Sequence, residues 1–405
     1  MKTVGEHIEA SLQAVGPQPP LEVGLPDAVG CILAEDVLAP FDLPFTDVAA
    51  LDGYAVHAAD LQDPGPDGTV ELKVLCTVLA GSAEHVRLVW GAAVAIASGA
   101  PLPKGADTVI PVEDTDRGVV SVQIRSRARV GDNIKSRAAD VRAGSVVLAR
   151  GERVGARQVA LLAGVGRVRV AVHPRPRVVI VSIGDELVEP GGKAVPGKVF
   201  DANVHALATA AQDAGATTFR VSAVPDERGS LMDLLRDQLV RADLVITTGG
   251  LSYGEGDTVK DVLAPLGTVR FDNVAISPGR QLGVGTLGDG VALFALPGDP
   301  VAAQVAFEVF VRPALRKMAG RQELFRRSVQ ATVARGWTSP AGRVEFARVA
   351  LTGDPAHGYT AELQGEPQAL LLSALARSNA FAVVPEAITQ VRAGDILHCL
   401  VLEDD

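Results

Sequence analysis

Arg177-Val178-Val179-Ile180-Val181-Ser182 is a short apolar run, preceded by His173-Pro174-Arg175-Pro176 and followed by Ile183-Gly184-Asp185-Glu186. Four apolar residues in a row, bounded by turn formers, read as a strand buried on both faces. Asn203–Ala214 then reads as a helix, Thr218–Val224 as a strand, Ser230–Arg241 as a helix, Asp243–Thr248 as a strand and Thr258–Leu266 as a helix. This alternation predicts a three-layer α/β unit around a parallel sheet. Two more strands, Gln281–Leu287 and Val291–Leu296, flank the turn Gly288-Asp289-Gly290. Asp299 as N-cap with Pro300 in the first helical position starts a long helix reaching about Met318.

Outward from this unit the texture changes. Between about Pro20 and Val172, short apolar runs are broken by Gly and Pro: Val70–Leu75, Ala93–Ile96, Thr108–Val112 and Val119–Ile124. That region reads as β-rich with one helix at Ala156–Ala163, and Val4–Val15 reads as a further amphipathic helix. From about Leu324 onward, candidate strands are Ser328–Ala334, Val344–Leu351, Gly358–Leu363, Phe381–Val384 and Ile396–Val401, with a short helix near Leu371–Arg377. A small β-barrel or sandwich is expected there. The fold class is thus multi-domain, α/β plus β.

The chain of 405 residues is 47% apolar and 21% charged, enough to bury several cores and to exclude wholesale disorder. Lys and Arg number 38 against 48 Asp and Glu, a net charge of −10 that argues against a nucleic-acid surface as the main business. It leaves open an anionic small substrate, since a local cation or metal outvotes the global sum. Cys31, Cys76 and Cys399 lie too far apart for a zinc knuckle or a disulfide framework. Met1–Gly16 carries Glu6, His7 and Glu9 and lacks the apolar core of a signal peptide, and no run approaches the roughly 18–20 apolar residues of a membrane span. These readings predict a cytoplasmic protein with no membrane partner.

Two pattern matches need weighing. Gly283-Val284-Gly285-Thr286-Leu287-Gly288 fits the dinucleotide fingerprint as a string but runs into a hairpin turn rather than a helix. Gly250-Leu251-Ser252-Tyr253-Gly254 fits the nucleophile elbow of α/β-hydrolases, after a strand and before a helix. A triad would need His357 or His398, both in the β-rich tail, so a hydrolase centred on Ser252 is the weaker reading and a glycine-rich ligand turn the stronger. Acidic residues follow successive strands: Asp185-Glu186, Asp226-Glu227, Glu255 with Asp257, then Asp299. Ligands of open α/β sheets bind at those strand ends. Each carboxylate taken alone reads as a helix cap, but together they call for a divalent cation such as Mg²⁺ or for basic groups on a ligand to neutralise them. Gly249-Gly250 and Pro297-Gly298-Asp299-Pro300 add backbone amides near helix starts that suit phosphate or oxyanions.

These segments together resemble the MoeA family, the molybdopterin molybdenumtransferases, related to the C-terminal part of gephyrin. The resemblance covers almost the whole chain. It rests on Leu51-Asp52-Gly53-Tyr54-Ala55-Val56, Ser98-Gly99-Ala100-Pro101-Leu102-Pro103, Ser182-Ile183-Gly184-Asp185-Glu186-Leu187, Thr248 through Asp257, Ser277-Pro278-Gly279-Arg280 and Leu296-Pro297-Gly298-Asp299-Pro300-Val301. It implies an elongated N-terminal domain from residues 1–45 and 145–172, a β-rich lid at 46–144, a central molybdopterin-binding α/β domain at 173–323 and a C-terminal β-barrel at 324–405. It further implies a homodimer that inserts molybdate into adenylylated molybdopterin, releases AMP and makes transient contact with cofactor-biosynthesis proteins or apo-molybdoenzymes.

Carried over by position, the resemblance implies catalytic roles for Asp52, Ser98, Glu186, Asp226 and Asp257, with Glu186, Asp226 and Asp257 near the metal. It implies substrate contacts from Asp140 and Arg343; Gly249, Gly250, Ser252, Gly254, Ser277, Arg280, Pro297, Gly298 and Asp299 complete the expected binding set. Ser98 stands where the family usually has Thr, and Asn273 and Ser277 where it often has lysines. Ala49 replaces a usual Ser, Ile183 a usual Thr, and Gly365–Ala369 lacks the usual Gly-Ser pattern. Each lost charge-assisted bond would weaken anion binding by about 1.5–3 kcal/mol. A divergent paralogue that binds the pterin cofactor without catalysis is therefore the second expectation.

Overall fold

The computed structural model describes residues 1–82, 85–193, 195–224, 227–251, 258–263, 268–366 and 368–403. The chain forms two compact units, Met1–Ala34 with Ala171–Asp405 and, inserted between them in sequence, Glu35–Val170.

In the first unit six strands lie in the order Thr217–Val224, Arg177–Ile183, Leu244–Thr248, Val291–Leu296, Gln281–Leu287, Arg270–Asn273. The first four are parallel, and the last two are antiparallel to their neighbours. The sheet is mixed where the sequence pattern suggested a parallel one. The glycine turn at 288–290, with φ of 51° and 94° at its two glycines, closes a hairpin that reverses Gln281–Leu287. A parallel connection would need a crossover of a dozen or so residues.

Alternate residues of the central strands face opposite cores. Val178, Ile180, Leu244, Ile246 and Phe294 pack with Val204 and Leu207 of the Asn203–Asp213 helix and with Val305 and Phe307 of the long helix. Val179, Val181, Val245 and Leu293 pack with Leu231 and Leu235 of the Arg228–Leu239 helix and with Val259 and Leu263 of Thr258–Leu263. Both faces are covered, which is why Arg177–Ser182 shows no polar alternation. Gly283 and Gly285 serve close strand approach. A Cβ at Gly283 would sit 2.7 Å from the Phe271 ring, and one at Gly285 would run into the Thr268 carbonyl.

The long helix begins as expected, with Asp299 accepting from the Ala302 amide at 2.9 Å. It is continuous through Pro300–Ala306, a π-helical turn at Phe307–Val311 and Arg312–Met318. Pro313 explains the wide turn, because it has no N–H to donate and its ring would crowd the carbonyl four residues back.

The N-terminal helix Val4–Gln13 opens on a capping box between Thr3 and Glu6. Its buried face carries His7, edge-on to Phe310 with ring centroids 4.7 Å apart. Burial above all, reinforced by Lys2, pulls the His7 pKa down from 6.5 to about 4, while Asp272 opposes the shift. The depressed pKa means that the unfolded chain binds the proton first as pH falls. The stabilising contribution of neutral His7 is therefore complete above about pH 6.5 and declines toward pH 4. The expected loss at pH 5 is about 2 kcal/mol, from 1.36 kcal/mol per unit over roughly 1.5 units. Urea unfolding of the wild-type chain and a His7→Gln variant at pH 7.5 and 5.0 measures it, and a difference between the two proteins that does not change with pH would refute it.

In the C-terminal part of the same unit, Ser328–Val333, Val344–Asp354, Gly358–Leu363, Ala380–Val384 and Ile396–Val401 form a barrel, closed by pairing of Val344–Asp354 with Ala380–Val384. The short Ile276–Ser277 strand joins it in parallel register with Val344 and Glu345. Phe346 and Phe381 of the barrel enter the α/β core. The helix expected near Leu371–Arg377 is a single turn, Leu372–Leu375, whose start has no side-chain cap to offset nucleation.

The second unit carries a five-stranded sheet in the order Thr108–Pro111, Gly53–Val56, Ala92–Ile96, Val70–Val78, Ser121–Ile124, with a core on each face. Gly53 has no room for a side chain, since a Cβ would strike the Ile110 carbonyl. No described helix in either unit is long and apolar enough to cross a membrane.

Candidate functional site

The parallel strands Arg177–Ile183, Leu244–Thr248 and Val291–Leu296 end at one edge of the sheet, and a cleft of about 390 Å³ opens there. Three glycine turns build its walls. Gly249 and Gly250 have φ of 86° and 66°, and Gly279 has 78°. A Cβ at Gly249 would strike the Ile183 carbonyl, and one at Gly250 would lie 2.7 Å from the Val259 side chain. At Gly279 it would meet Ala302 at 2.7 Å and Pro297 at 2.9 Å, so the Pro278-Gly279 turn nests against the Pro297-Gly298 turn. Glycine is required on both counts: left-handed backbone and close approach. Pro297 and Gly298 face the same cleft.

Asn203 ties these turns together. Its Nδ2 donates to the Gly298 carbonyl at 2.7 Å and to Thr248 Oγ1 at 3.2 Å. Asp201, also buried, accepts from the Val204 amide at 3.1 Å and starts the helix that carries Asn203. Neither residue was among the sequence candidates. The signal was present in Asp201-Ala202-Asn203, an acid and an amide at a helix start, but it reads equally as an ordinary cap.

Of the strand-end carboxylates, Glu186 lines the cleft. It folds back over Gly184, where a Cβ would lie 2.6 Å from Glu186 Oε2. Glu227 accepts instead from the Ser230 hydroxyl at 3.2 Å, and Asp299 is occupied by its helix cap. Ser252, Gly254, Glu255, Asp257 and Asp226 lie outside the described residues. Among the described residues no three His, Cys, Asp or Glu side chains cluster as metal ligands, so Glu186 by itself does not make a divalent-cation site.

Arg280 gives the cleft a cation. The backbone amides are more committed than the sequence suggested: Gly249 N–H donates to the Leu296 carbonyl at 3.3 Å, and Ala302 N–H to Asp299. Ser277 is half-buried in the strand that meets the barrel, just before the cis peptide to Pro278.

In the barrel, Arg343 is half-buried just before the Val344–Asp354 strand, whereas Arg348, which sequence reasoning passed over, is 2% exposed. Its Nη2 donates to the carbonyls of Glu366 and Ala369, each at 2.9 Å. Burial draws its pKa below the usual guanidinium value, and the charges of Asp299 and Glu345 oppose that shift. Burial pushes the Glu345 carboxyl up, against the hydrogen bond from Trp337 Nε1 at 2.9 Å and the charge of Arg348. Arg348 thus ties the Val344–Asp354 strand to the carbonyls of Glu366 and Ala369.

The second unit brings Asp52 and Ser98 together. Asp52 Oδ1 accepts the Ser98 amide at 2.8 Å, and Ser98 Oγ donates to the Ala50 carbonyl at 3.2 Å. Both residues are exposed, with Gly99 next to Ser98 at φ 78°. Asp140 is exposed on a loop where its own amide donates to the Leu43 carbonyl at 3.0 Å.

Comparison with known proteins matches residues 2–166 to the MoeA N-terminal region (domain I and II), 179–317 to a probable molybdopterin binding domain and 330–402 to the MoeA C-terminal region (domain IV). Molybdopterin molybdenumtransferase 1 of Mycobacterium tuberculosis is 38% identical over 423 residues, covering 99% of each chain. Molybdopterin molybdenumtransferase 2 of the same organism is 38% identical over 404 residues, covering 98% of this chain and 99% of its own. A solved molybdopterin biosynthesis MoeA protein from Pyrococcus horikoshii superposes with a TM-score of 0.85 at 30% identity, covering 99% of each chain. With matches along its whole length, and with Glu186, Arg280 and the glycine turns at one sheet edge, the chain belongs to the MoeA family.

Proposed function

We propose that this protein inserts molybdate into adenylylated molybdopterin and releases AMP. The observation that carries this reading is the cleft at the strand ends, where Glu186 and Arg280 face walls of nested glycine turns. A pterin bearing a phosphoanhydride needs a concave polar site of this kind, with close backbone approach to its phosphates. In this reading Arg280 pairs with phosphate oxygens, and Glu186 takes a proton from the water whose oxygen forms the new P–O bond as the bridging P–O bond of the phosphoanhydride breaks and AMP leaves. Asn203 holds the Gly298 carbonyl so that the Pro297-Gly298 wall keeps its shape. Asp52 and Ser98 form a second, exposed constellation for substrate, contributed to a homodimer in which each subunit completes the other.

A divalent cation, Mg²⁺ in the simplest case, would neutralise phosphate charge. Its full ligand set is not formed by the described residues, and no step above passes through it. The four-part division of the chain, with segments 1–45 and 145–172 flanking a lid at 46–144, belongs to the same proposal. A cytoplasmic location and handover to apo-molybdoenzymes belong to it as well.

The test is incubation of the purified protein with adenylylated molybdopterin, molybdate and Mg²⁺, followed by AMP release and reconstitution of an apo-molybdoenzyme. Stoichiometric AMP and active enzyme support the proposal. Tight pterin binding with no AMP would replace it by the non-catalytic carrier, the reading favoured by Asn273 and Ser277 at positions where the family often has lysines. Turnover of simple esters abolished by Ser252→Ala would replace it by a hydrolase.

A further inference from the structure

Thr217–Val224 is the outer strand of the six-stranded sheet, and among the described residues it pairs on one side alone. The Thr217 amide donates to the Pro176 carbonyl at 2.8 Å, toward the neighbouring Arg177–Ile183 strand. Successive residues of a parallel ladder turn their backbone groups to opposite sides. The N–H and C=O of Thr218 and Arg220 therefore point away from the sheet. Among the described residues no other backbone group takes them up. A groove of about 440 Å³ follows this edge, lined by the four residues Thr218 to Val221 and by Glu189, His205 and Arg241.

Cations flank both faces of the strand. On one face Arg220 Nη1 lies 2.6 Å from His205 Nδ1. A guanidinium only donates, so His205 accepts there and keeps its proton on Nε2, 3.6 Å from Glu189 Oε2. On the other face Phe219 packs against the second core, and Arg241 sits over its ring, 4.7 Å from the centroid. Arg241 Nε donates to Gln238 Oε1 at 2.8 Å. Both arginines are exposed and both bond neutral groups, and the one acid of the groove, Glu189, lies beside His205 instead.

An open strand edge is a template for a further strand, and the charges beside it select the occupant. A second copy of this edge would set arginine against arginine. We propose that the groove binds an acidic, extended peptide segment of a partner protein, which adds to the sheet beside Thr217–Val224. Its backbone pairs with Thr218 and Arg220. Adjacent Asp or Glu residues on it point to opposite faces, so that one meets Arg220 and the next Arg241. This surface lies apart from the strand-end cleft, and the inference does not depend on the function proposed for that cleft.

The probes are a fluorescein-labelled peptide of repeating Val-Glu-Glu-Thr, its Val-Lys-Lys-Thr counterpart, and citrate as a free carboxylate. Full-length wild-type protein is compared with Arg220→Ala, Arg241→Ala and Thr218→Pro by fluorescence anisotropy, amide hydrogen exchange and thermal unfolding. The acidic peptide should bind and the lysine peptide should not. Each arginine variant should raise Kd by about 10-fold, the lower end for one charge-assisted bond. Bound peptide should slow exchange of the Thr218 and Arg220 amides. Thr218→Pro removes an N–H that faces away from the ladder, so it should weaken binding with little change in the melting midpoint. If that variant does melt earlier, exchange in the wild-type protein decides whether a strand is added. No binding of the acidic peptide, or binding that neither arginine variant weakens, would overturn the inference. Displacement by citrate without slowed exchange at Thr218 and Arg220 would overturn it too, leaving a site for small carboxylates in its place.

Discussion

Glu186→Gln is expected to lower the rate of AMP release by about 100- to 10,000-fold, the contribution of a positioned general base. The substitution keeps the size and hydrogen-bonding reach of the side chain but removes its capacity to take a proton. The carboxylate lies over Gly184, where no side chain competes for its place, and it faces the cleft. Glutamine can occupy the same space, so the melting midpoint should stay within about 1 °C of wild type for a change of a few tenths of a kcal/mol. KM for the adenylylated pterin should change little, because the lost interaction belongs to the transition state rather than to ground-state binding. Rapid quench of a single turnover measures the chemical step directly. A variant that releases AMP at the wild-type rate would remove Glu186 from the chemistry. A variant with normal rate and a raised KM would reassign it to substrate binding.

The contrast between Glu186 and the other strand-end acids shows how far the sequence carries. That the acids follow strands was legible, because Val-rich runs bounded by Gly and Pro mark the strand ends. What each carboxylate does there was not. Asp299 and Glu227 find partners in their own helix starts, three residues on, and such local bonds look the same in sequence as a ligand set. Asn203 and Arg348 illustrate the opposite failure. Each acts over a long sequence separation, Asn203 on Gly298 and Thr248, Arg348 on the 366–369 segment. Their importance lies in burial, which composition and spacing do not reveal. The α/β alternation and the barrel strands were legible from local pattern alone. The reversal of Gln281–Leu287 was signalled only by the tightness of the turn at 288–290.

Arg348→Met is expected to destabilise the first unit by about 3–5 kcal/mol, the cost of breaking a buried charge system by removing one partner. Methionine fills much of the space yet removes the guanidinium donor from the Glu366 and Ala369 carbonyls, which keep only the amides of Ala369 and Leu371, and leaves Glu345 without its nearby cation. Arg348→Lys retains the charge as a single point on a flexible stem, so it should recover only part of the loss, because a planar fork is better suited to holding two carbonyls. The pH dependence has a definite sign. Burial already raises the Glu345 pKa, and loss of Arg348 raises it further. A carboxyl whose folded pKa lies above its unfolded value weakens the fold at high pH, and that burden is relieved as the pH falls and the group takes up its proton. The deficit of Arg348→Met should therefore be larger at pH 8 than at pH 5. In an Arg348→Met, Glu345→Gln double variant that pH dependence should vanish, and the loss should be smaller than in the single variant. Urea unfolding at the two pH values measures all three proteins. An equal deficit at both would mean that Arg348 acts through the 366–369 carbonyls alone and that Glu345 is neutral without its help.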